Sequence, residues 1–556
     1  MKALDKNVKR RLMYTALAAI LAFDALYAII TVSGPTNLSE EYAYAGLALN
    51  TVHGQLNLQW IDSSRILQYL PIAAFYSVFG VGIYTSSAWN MICFLGTALI
   101  AFLVGRELYG PNTGLLSALL VSFFTPIVRV SSTLDIVMSM AFFVSLALFA
   151  LLYGHNHKSR KWMFAAGVFL VATQLTIPIG LIAIVAGLLY VIIEFVRKKL
   201  EFGLVMHMVA GIVAASVAVL VFSYIVSGSP LTIVSLNGAY YSNLTMTQTA
   251  YGIIGAPVVY ANGSRNDLFG WYLPYYPQQM LEYSAMQTII GGITHNDISF
   301  ATVWQQLYSP GFVAGFYFYA VIAALAYLLI KWDRRAYFPL IWFAIGFLFL
   351  QFAPQGGTLS PFRYILIFRD VRYLTVLAVP TAVIISIALA RFAGTKRSLG
   401  GRRRDRGWAL RLSLVAVIAA FLISTAIPAN ILWYNYVYTE YHPLQVIANI
   451  LLHSGVGINV YYPSGDWPDI FIYLHDGSSI SLQTLDGISN CSQFGVGSYV
   501  IIPNITDGFA PPQPYIVNTS KYCPNLHLVA APYSNAFGQE NVAFKNQQKL
   551  YYVAPS

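Results

Sequence analysis

Long apolar stretches separated by short polar ones run through most of the chain. Each has about 17 to 22 residues, which is enough for a helix to cross a hydrocarbon layer of about 30 Å. We predict eleven membrane spans from this pattern. They lie near 12–34, 86–105, 113–131, 135–154, 161–177, 178–196, 204–226, 311–330, 336–353, 373–390 and 408–429.

The segment over 66–85 is also apolar, but Pro71, Gly80 and Gly82 weaken it as a spanning helix. Its placement decides the orientation of every later span. If it lies along the membrane surface, 23 of the 32 lysine and arginine residues share a side with the N-terminus, whereas if it spans, 13 do. Because positive loops stay in the cytoplasm, the count favours the surface position and a cytoplasmic, uncleaved signal-anchor N-terminus.

Composition supports a membrane protein. The chain is 57% hydrophobic and 10% charged, with a mean hydropathy of +0.61, which is too apolar for an ordinary soluble domain. We predict a polytopic α-helical protein of the cell membrane, in contact with membrane lipids. The net charge of +10 is explained by its loops, so nucleic-acid binding is excluded.

The predicted orientation divides the chain into a transmembrane domain over 1–430 and an extracytoplasmic tail over 431–556. The tail has a helix-like stretch and then short β-rich runs separated by turn residues, which predicts a small α/β domain. Two more outer segments, 35–85 and 227–310, are substantial. The longest cytoplasmic connection, 392–407, is too short and too basic to fold as a catalytic domain, so any chemistry faces outward.

Sequons and cysteines agree with this orientation. All six N-x-S/T sequons fall on the outer side. They begin at Asn37, Asn243, Asn262, Asn490, Asn504 and Asn518. Cys93 lies in an apolar run and is predicted to be a core residue, while Cys491 and Cys523 lie in the tail, where a disulfide between them is expected.

Two adjacent carboxylates, Glu40 and Glu41, follow the first span in the stretch SEEYAYA. A helix beginning near Ser39 would hold them in its first turn and place Tyr44 and Ala48 on one face. Spacing alone favours a simple explanation, in which Ser39 caps the helix and the glutamates complement its dipole. The alternative is that one of them is a catalytic base.

The same residues resemble the first outer loop of the lipid-dependent GT-C membrane glycosyltransferases, which include protein O-mannosyltransferases and aminoarabinose transferases. That loop opens with D-E-x-x-Y-A-x-x-A and a later glycine, and here Glu40 replaces the aspartate. Further matches extend over residues 10–155, with a weaker one near 372. They are Tyr44-Ala45, Ala48, Gly54, Arg65, Pro71, Phe79-Gly80, the stretch GRELYG over 105–110, Pro126, Arg129, Asp135 and Arg372-Tyr373.

The resemblance implies a GT-C-like fold and an inverting transfer of a sugar from a polyprenyl-phosphate-linked donor to an extracytoplasmic acceptor. Such a transfer needs a base for the acceptor hydroxyl and cations for the departing phosphate. Glu40 or Glu41 is the candidate base, and Asp135 would orient the acceptor or bind a divalent metal. No other cofactor is implied.

Arginines near predicted outer membrane edges are the candidate ligands of the lipid phosphate, because a guanidinium forms forked bonds to phosphate oxygens. They are Arg65, Arg129, Arg369 and Arg372. The candidate contacts for acceptor or sugar are Tyr44, His53 and His295.

Two other functions compete with this one. An oligosaccharyltransferase of the same fold would carry a W-W-D-x-G signature, which Asp466-Trp467-Pro468-Asp469 matches poorly. A transporter or a non-catalytic scaffold is the other alternative. Transporters place several ionisable residues at mid-membrane in repeated halves, whereas Asp24 is the one clear mid-span charge and is expected to face another helix.

Overall fold

The computed structural model describes most of the helical region and five strands of the tail. The described residues are 6–32, 39–56, 58–59, 61–237, 317–331, 333–352, 371–394, 411–424, 426–427, 430, 450–451, 458–462, 481–484, 494–504, 525–530 and 547–554.

Each apolar stretch of the sequence contains at least one helix, and the longer helices are numbered in chain order. They are α1 (Lys6–Ile30), α2 (Ser39–Val52), α3 (Ile66–Phe79), α4 (Ile83–Tyr109), α5 (Pro111–Ser122), α6 (Thr125–Val130), α7 (Ile136–Asn156), α8 (Arg160–Gln174), α9 (Leu181–Val196), α10 (Phe202–Ser227), α11 (Tyr317–Lys331), α12 (Tyr337–Phe352), α13 (Ala378–Gly394) and α14 (Arg411–Ser424). A short helix over 232–237 follows α10.

Within the described ranges, six helical segments are long and apolar enough to cross a membrane. The predicted number of eleven spans is therefore not confirmed. The six are Arg10–Ile30, Ile83–Tyr109, Ile136–Asn156, Pro178–Val196, Phe202–Ser227 and Arg372–Gly394. Helix α3 has 14 residues and contains Pro71. That length is short for a crossing, which agrees with a surface position for the 66–85 segment.

The stretch over 113–131, predicted as one span, contains two helices. Helix α5 ends at Ser122, and Pro126 lies in the first turn of α6. Proline has no backbone N–H and disfavours helical geometry in the residue before it, so the chain turns at Phe123 and Phe124. Helix α6 then leads into the turn that carries Asp135 to the start of α7.

Helices α7 and α13 lie at the centre of the bundle and are buried along almost their whole length, whereas α1 and α10 are mostly exposed. The exposed side chains of α10 are largely apolar, as expected for a helix that faces lipid. Helices α4 and α5 approach closely at Gly114, where an added Cβ atom would lie 2.5 Å from the carbonyl oxygen of Phe102. Glycine is therefore required at this position.

The tail contains a five-stranded sheet, so the strands of the predicted small C-terminal α/β domain are confirmed. Its strands are β1 (Asn459–Tyr462), β2 (Ser481–Thr484), β3 (Tyr499–Asn504), β4 (Leu526–Ala530) and β5 (Gln547–Val553). Their order is β2-β1-β3-β5-β4, with β1 parallel to β2 and β3, and β5 antiparallel to β3 and β4. One of the β-rich runs in the tail sequence, IFIYLHD over 470–476, lies outside the described residues, as does most of the helix-like stretch HPLQVIANILLHSG over 442–455.

Candidate active site

Glu41 lies in the first turn of α2 and is almost completely buried. Tyr44, one turn further along, is also buried. Its hydroxyl accepts a hydrogen bond from Nη1 of Arg65 and donates to Oδ1 of Asp62 over 3.4 Å. Glu40 belongs to the same turn, but its side chain lies outside the described part of the molecule. The start of α2 thus holds a buried carboxylate one turn before Tyr44, the residue that bonds to Arg65 and Asp62.

Arg65 is the centre of that group. Its Nη1 lies 2.9 Å from Oδ1 of Asp62, and its Cζ lies 5.9 Å from the centroid of the Tyr44 ring. Arg65 follows a short 3-10 turn over Ile61–Ser64, in which Asp62 keeps some contact with solvent while Arg65 is buried. The turn therefore holds the guanidinium of Arg65 in a buried position, paired with Asp62 and in contact with α2.

Two hydrogen bonds fix the turn over Ile61–Ser64. The hydroxyl of Tyr69 donates to the carbonyl oxygen of Ser63 over 3.0 Å, and burial raises the pKa of Tyr69, so this hydroxyl stays a donor. The side-chain amide of Asn237 donates to Oγ of Ser64 over 3.2 Å. Helix α3 and the short helix over 232–237 therefore both hold the turn in place.

Asp135 and Arg372 form a second buried pair. Asp135 caps the N-terminus of α7, and its Oδ1 accepts from the backbone N–H of Val137 over 3.0 Å. Its Oδ2 lies 3.4 Å from Nη1 of Arg372, which belongs to a 3-10 turn over Val371–Leu377 just before α13. Two central helices thus begin at the same end of the bundle, one with a carboxylate and the other with a guanidinium.

Polar side chains that sequence reasoning missed connect the two groups. The amide of Gln68, in the first turn of α3, donates to the carbonyl oxygen of Leu134 over 2.8 Å. Asn90 donates to the carbonyl oxygen of Asp135 over 2.7 Å. Gln68 and Asn90 appear in the sequence as isolated polar residues in apolar stretches, which is the one signal that could have found them.

The other predicted site residues are less closely engaged or lie outside the described ranges. Arg129 is half-buried on α6, and α6 packs against the turn that carries Arg372. His53 is exposed just after α2. Those outside the described ranges are Arg369, His295, Cys491, Cys523 and the sequons at Asn37, Asn243, Asn262, Asn490 and Asn518. Asn504 ends β3, and Cys93 is buried as predicted.

The described side chains do not assemble a metal centre. Among these residues, no group of three or more His, Cys, Asp or Glu side chains has the geometry to hold a metal ion. The two oxygens of Asp135 are engaged by the Val137 N–H and by Arg372. The binding of a divalent metal by Asp135 therefore stays a prediction.

Asp24 belongs to a separate contact in the C-terminal part of α1. It is fully buried, and its Oδ2 accepts a hydrogen bond from Oγ of Ser122 on α5 over 2.8 Å. The prediction that Asp24 faces another helix is confirmed. The carboxylate of Asp24 thus connects α1 to α5, which is a structural role.

Comparison with solved structures decides the fold. ArnT from Cupriavidus metallidurans in the apo state aligns with a TM-score of 0.50 and 13% identity, over 96% of this chain and 97% of that one. The structure of the same protein bound to undecaprenyl phosphate aligns with a TM-score of 0.51 and 12% identity, over 97% and 99% of the two chains. The chain has the GT-C fold. The predicted fold class is therefore confirmed.

A family of known sequences matches part of the chain, and a further solved structure resembles it. Residues 66–224 match the family described as dolichyl-phosphate-mannose-protein mannosyltransferase. An oligosaccharyltransferase from Archaeoglobus fulgidus, tethered to an acceptor peptide, aligns with a TM-score of 0.49 and 14% identity over 88% of this chain and 69% of that one. No protein of curated function matches the sequence.

Proposed function

We propose that this chain is an inverting glycosyltransferase, which transfers a sugar from a polyprenyl-phosphate-linked donor to an extracytoplasmic acceptor. The single observation that supports this best is the placement of two ion pairs with buried arginines, Arg65–Asp62 and Arg372–Asp135, at one end of the bundle, where Gln68 connects the start of α3 to the start of α7. Buried Glu41 lies in the first turn of α2, which packs against α3. Burying charged side chains costs free energy even when they are paired, so this arrangement in an apolar bundle indicates a functional requirement.

Charge at the opposite end of the bundle supports an outward-facing site. Basic residues dominate there, at the end of α7 and at the loops before α10 and α12. They include Lys158, Arg160, Lys161, Arg197, Lys198, Lys199, Arg334 and Arg335. Basic loops stay in the cytoplasm, so the end with Asp135 and Arg372 would face the other side. Lipid-linked sugars are available there, and nucleotide sugars are not.

In the proposed reaction, Glu41 accepts the proton of the acceptor hydroxyl as its oxygen attacks C1 of the sugar. The new bond from C1 to the acceptor oxygen forms as the bond from C1 to the phosphate oxygen breaks. Attack from the face opposite the phosphate inverts the anomeric centre. Arg65 and Arg372, with Arg129 nearby, stabilise the charge that develops on the departing polyprenyl phosphate. Asp135 holds Arg372 and orients the acceptor.

ArnT has been solved in complex with undecaprenyl phosphate, and we infer a ligand of the same class for this chain. The test uses purified protein in liposomes with a radiolabelled polyprenyl-phosphate sugar and an extract of host glycans and proteins. We expect release of free polyprenyl phosphate and labelling of an acceptor. A nucleotide sugar supplied as the sole donor should give no transfer. Equal transfer from the nucleotide sugar would overturn the donor assignment.

A further inference from the structure

Gln68 is a fully buried amide whose two ends are bonded to α7 and to the segment just before it. Its Nε2 donates to the carbonyl oxygen of Leu134 over 2.8 Å, and its Oε1 accepts from Oγ of Ser139 over 2.7 Å. Its Nε2 also lies 3.3 Å from Oδ1 of Asn90. A glutamine with both ends satisfied in a dry interior specifies one geometry, because any shift would leave a buried polar atom unpaired.

The position of Gln68 relates it to both ionic groups. Its backbone N–H donates to the carbonyl oxygen of Arg65 over 2.9 Å, so the two residues share one turn at the start of α3. Its side chain holds Leu134, the residue immediately before Asp135. Asn90 holds the carbonyl oxygen of Asp135 itself over 2.7 Å. One side chain thereby links the turn that carries Arg65 to the segment that carries Asp135, and Asp135 in turn pairs with Arg372.

We propose that Gln68 is a positioning residue, which sets the spacing between Arg65 and the Asp135–Arg372 pair so that both guanidinium groups reach one lipid phosphate. This inference rests on the proposed function. A leucine at this position would fill the same space but would form no hydrogen bonds. The amide of Gln68 fixes the distance between α3 and α7, and two arginines on separate elements need a fixed distance if they are to contact a single phosphate.

Helix α7 offers a matched pair of variants. Ser139→Ala removes the hydroxyl that bonds Gln68, whereas Ser145→Ala removes an equally buried hydroxyl that donates to Ala141 in its own helix over 2.6 Å. Both changes delete one oxygen from the same helix. A difference between them therefore reports on the contact with Gln68 and not on packing of α7.

We expect Ser139→Ala to raise the KM for the polyprenyl-phosphate donor about fivefold, as for the loss of one buried hydrogen bond, with little change in kcat. Gln68→Leu should have a larger effect in the same direction. Ser145→Ala should match the wild type. In a double-mutant cycle, Ser139→Ala and Arg65→Lys should raise KM by less than the product of their separate effects, because both act on the same phosphate contact.

A binding experiment separates this inference from the proposed function. Binding of undecaprenyl phosphate, with no sugar attached, is measured in detergent as the rise in melting temperature that it causes. If the wild type transfers sugar and Ser139→Ala is indistinguishable from Ser145→Ala, the inference is overturned and the function stands. If the wild type binds undecaprenyl phosphate without transferring sugar, the function fails, and weaker binding by Ser139→Ala than by Ser145→Ala still supports the inference. Absence of both binding and transfer overturns both.

Discussion

Oδ2 of Asp135 lies 3.4 Å from Nη1 of Arg372, and the two side chains are 3% and 6% exposed. They are 237 residues apart in sequence and come from the starts of two central helices. An ion pair so deeply buried depends on both partners, because each would be an uncompensated charge without the other. The two residues proposed to act in catalysis therefore also stabilise the folded protein.

Arg372→Gln should lower the free energy of unfolding by about 3 to 5 kcal/mol, since it leaves the buried carboxylate of Asp135 without its partner. The double variant Asp135→Asn with Arg372→Gln removes both charges and should recover a large part of that loss. Thermal unfolding in detergent measures both. A double variant less stable than Arg372→Gln alone would show that the charges do not compensate each other.

Gly114→Ala tests the close approach of α4 and α5. The added Cβ would lie 2.5 Å from the carbonyl oxygen of Phe102, so the helices must separate. Overpacking of this kind costs about 1 to 3 kcal/mol. Gly203→Ala, in a helix where nothing lies within 4 Å of the added Cβ, is the matched control and should not destabilise the protein. Equal stability of the two variants would contradict the described packing.

The orientation can be read by cysteine labelling. In a chain from which Cys491 and Cys523 have been replaced, His53→Cys introduces an exposed thiol at the end of the bundle that holds the candidate site. Lys158→Cys introduces one at the opposite end, where Lys158 is 70% exposed. A membrane-impermeant maleimide should label the first in intact cells and the second after permeabilisation. The reverse pattern would place the site in the cytoplasm.

The periodicity of the sequence predicted the fold better than it predicted the site. Apolar runs located the helices because burial in lipid or in the core requires continuous hydrophobicity. The break between α5 and α6 was missed, although Pro126 was visible, because a proline near the end of a run does not show where the chain will turn. The β-rich runs of the tail located all five described strands.

The site was only partly predictable because its partners are distant in sequence. Asp135 and Arg372 were candidates, but nothing in the sequence indicated that they pair. Asp62 was missed as the partner of Arg65, although a spacing of three residues is a local signal. Gln68 and Asn90 were missed because a polar residue in an apolar stretch acquires its role from the helix packed against it.

The central claim is that a buried carboxylate at the outward-facing end of the bundle is the base for sugar transfer. Glu41→Gln and Glu201→Gln test it as a pair. Glu201 is exposed at the opposite end, where its hydrogen bond from Lys158 lowers its pKa and keeps it a carboxylate at neutral pH. Both variants exchange a carboxylate for an amide of the same size.

The most direct measurement is the initial rate of transfer from a radiolabelled polyprenyl-phosphate sugar by the two variants in liposomes. We expect Glu41→Gln to lose about 100-fold to 10,000-fold in rate, the usual contribution of a general base, while Glu201→Gln keeps the wild-type rate. Glu40→Gln, measured alongside, identifies which of the two adjacent acids accepts the proton. Full transfer by both Glu40→Gln and Glu41→Gln would contradict the account.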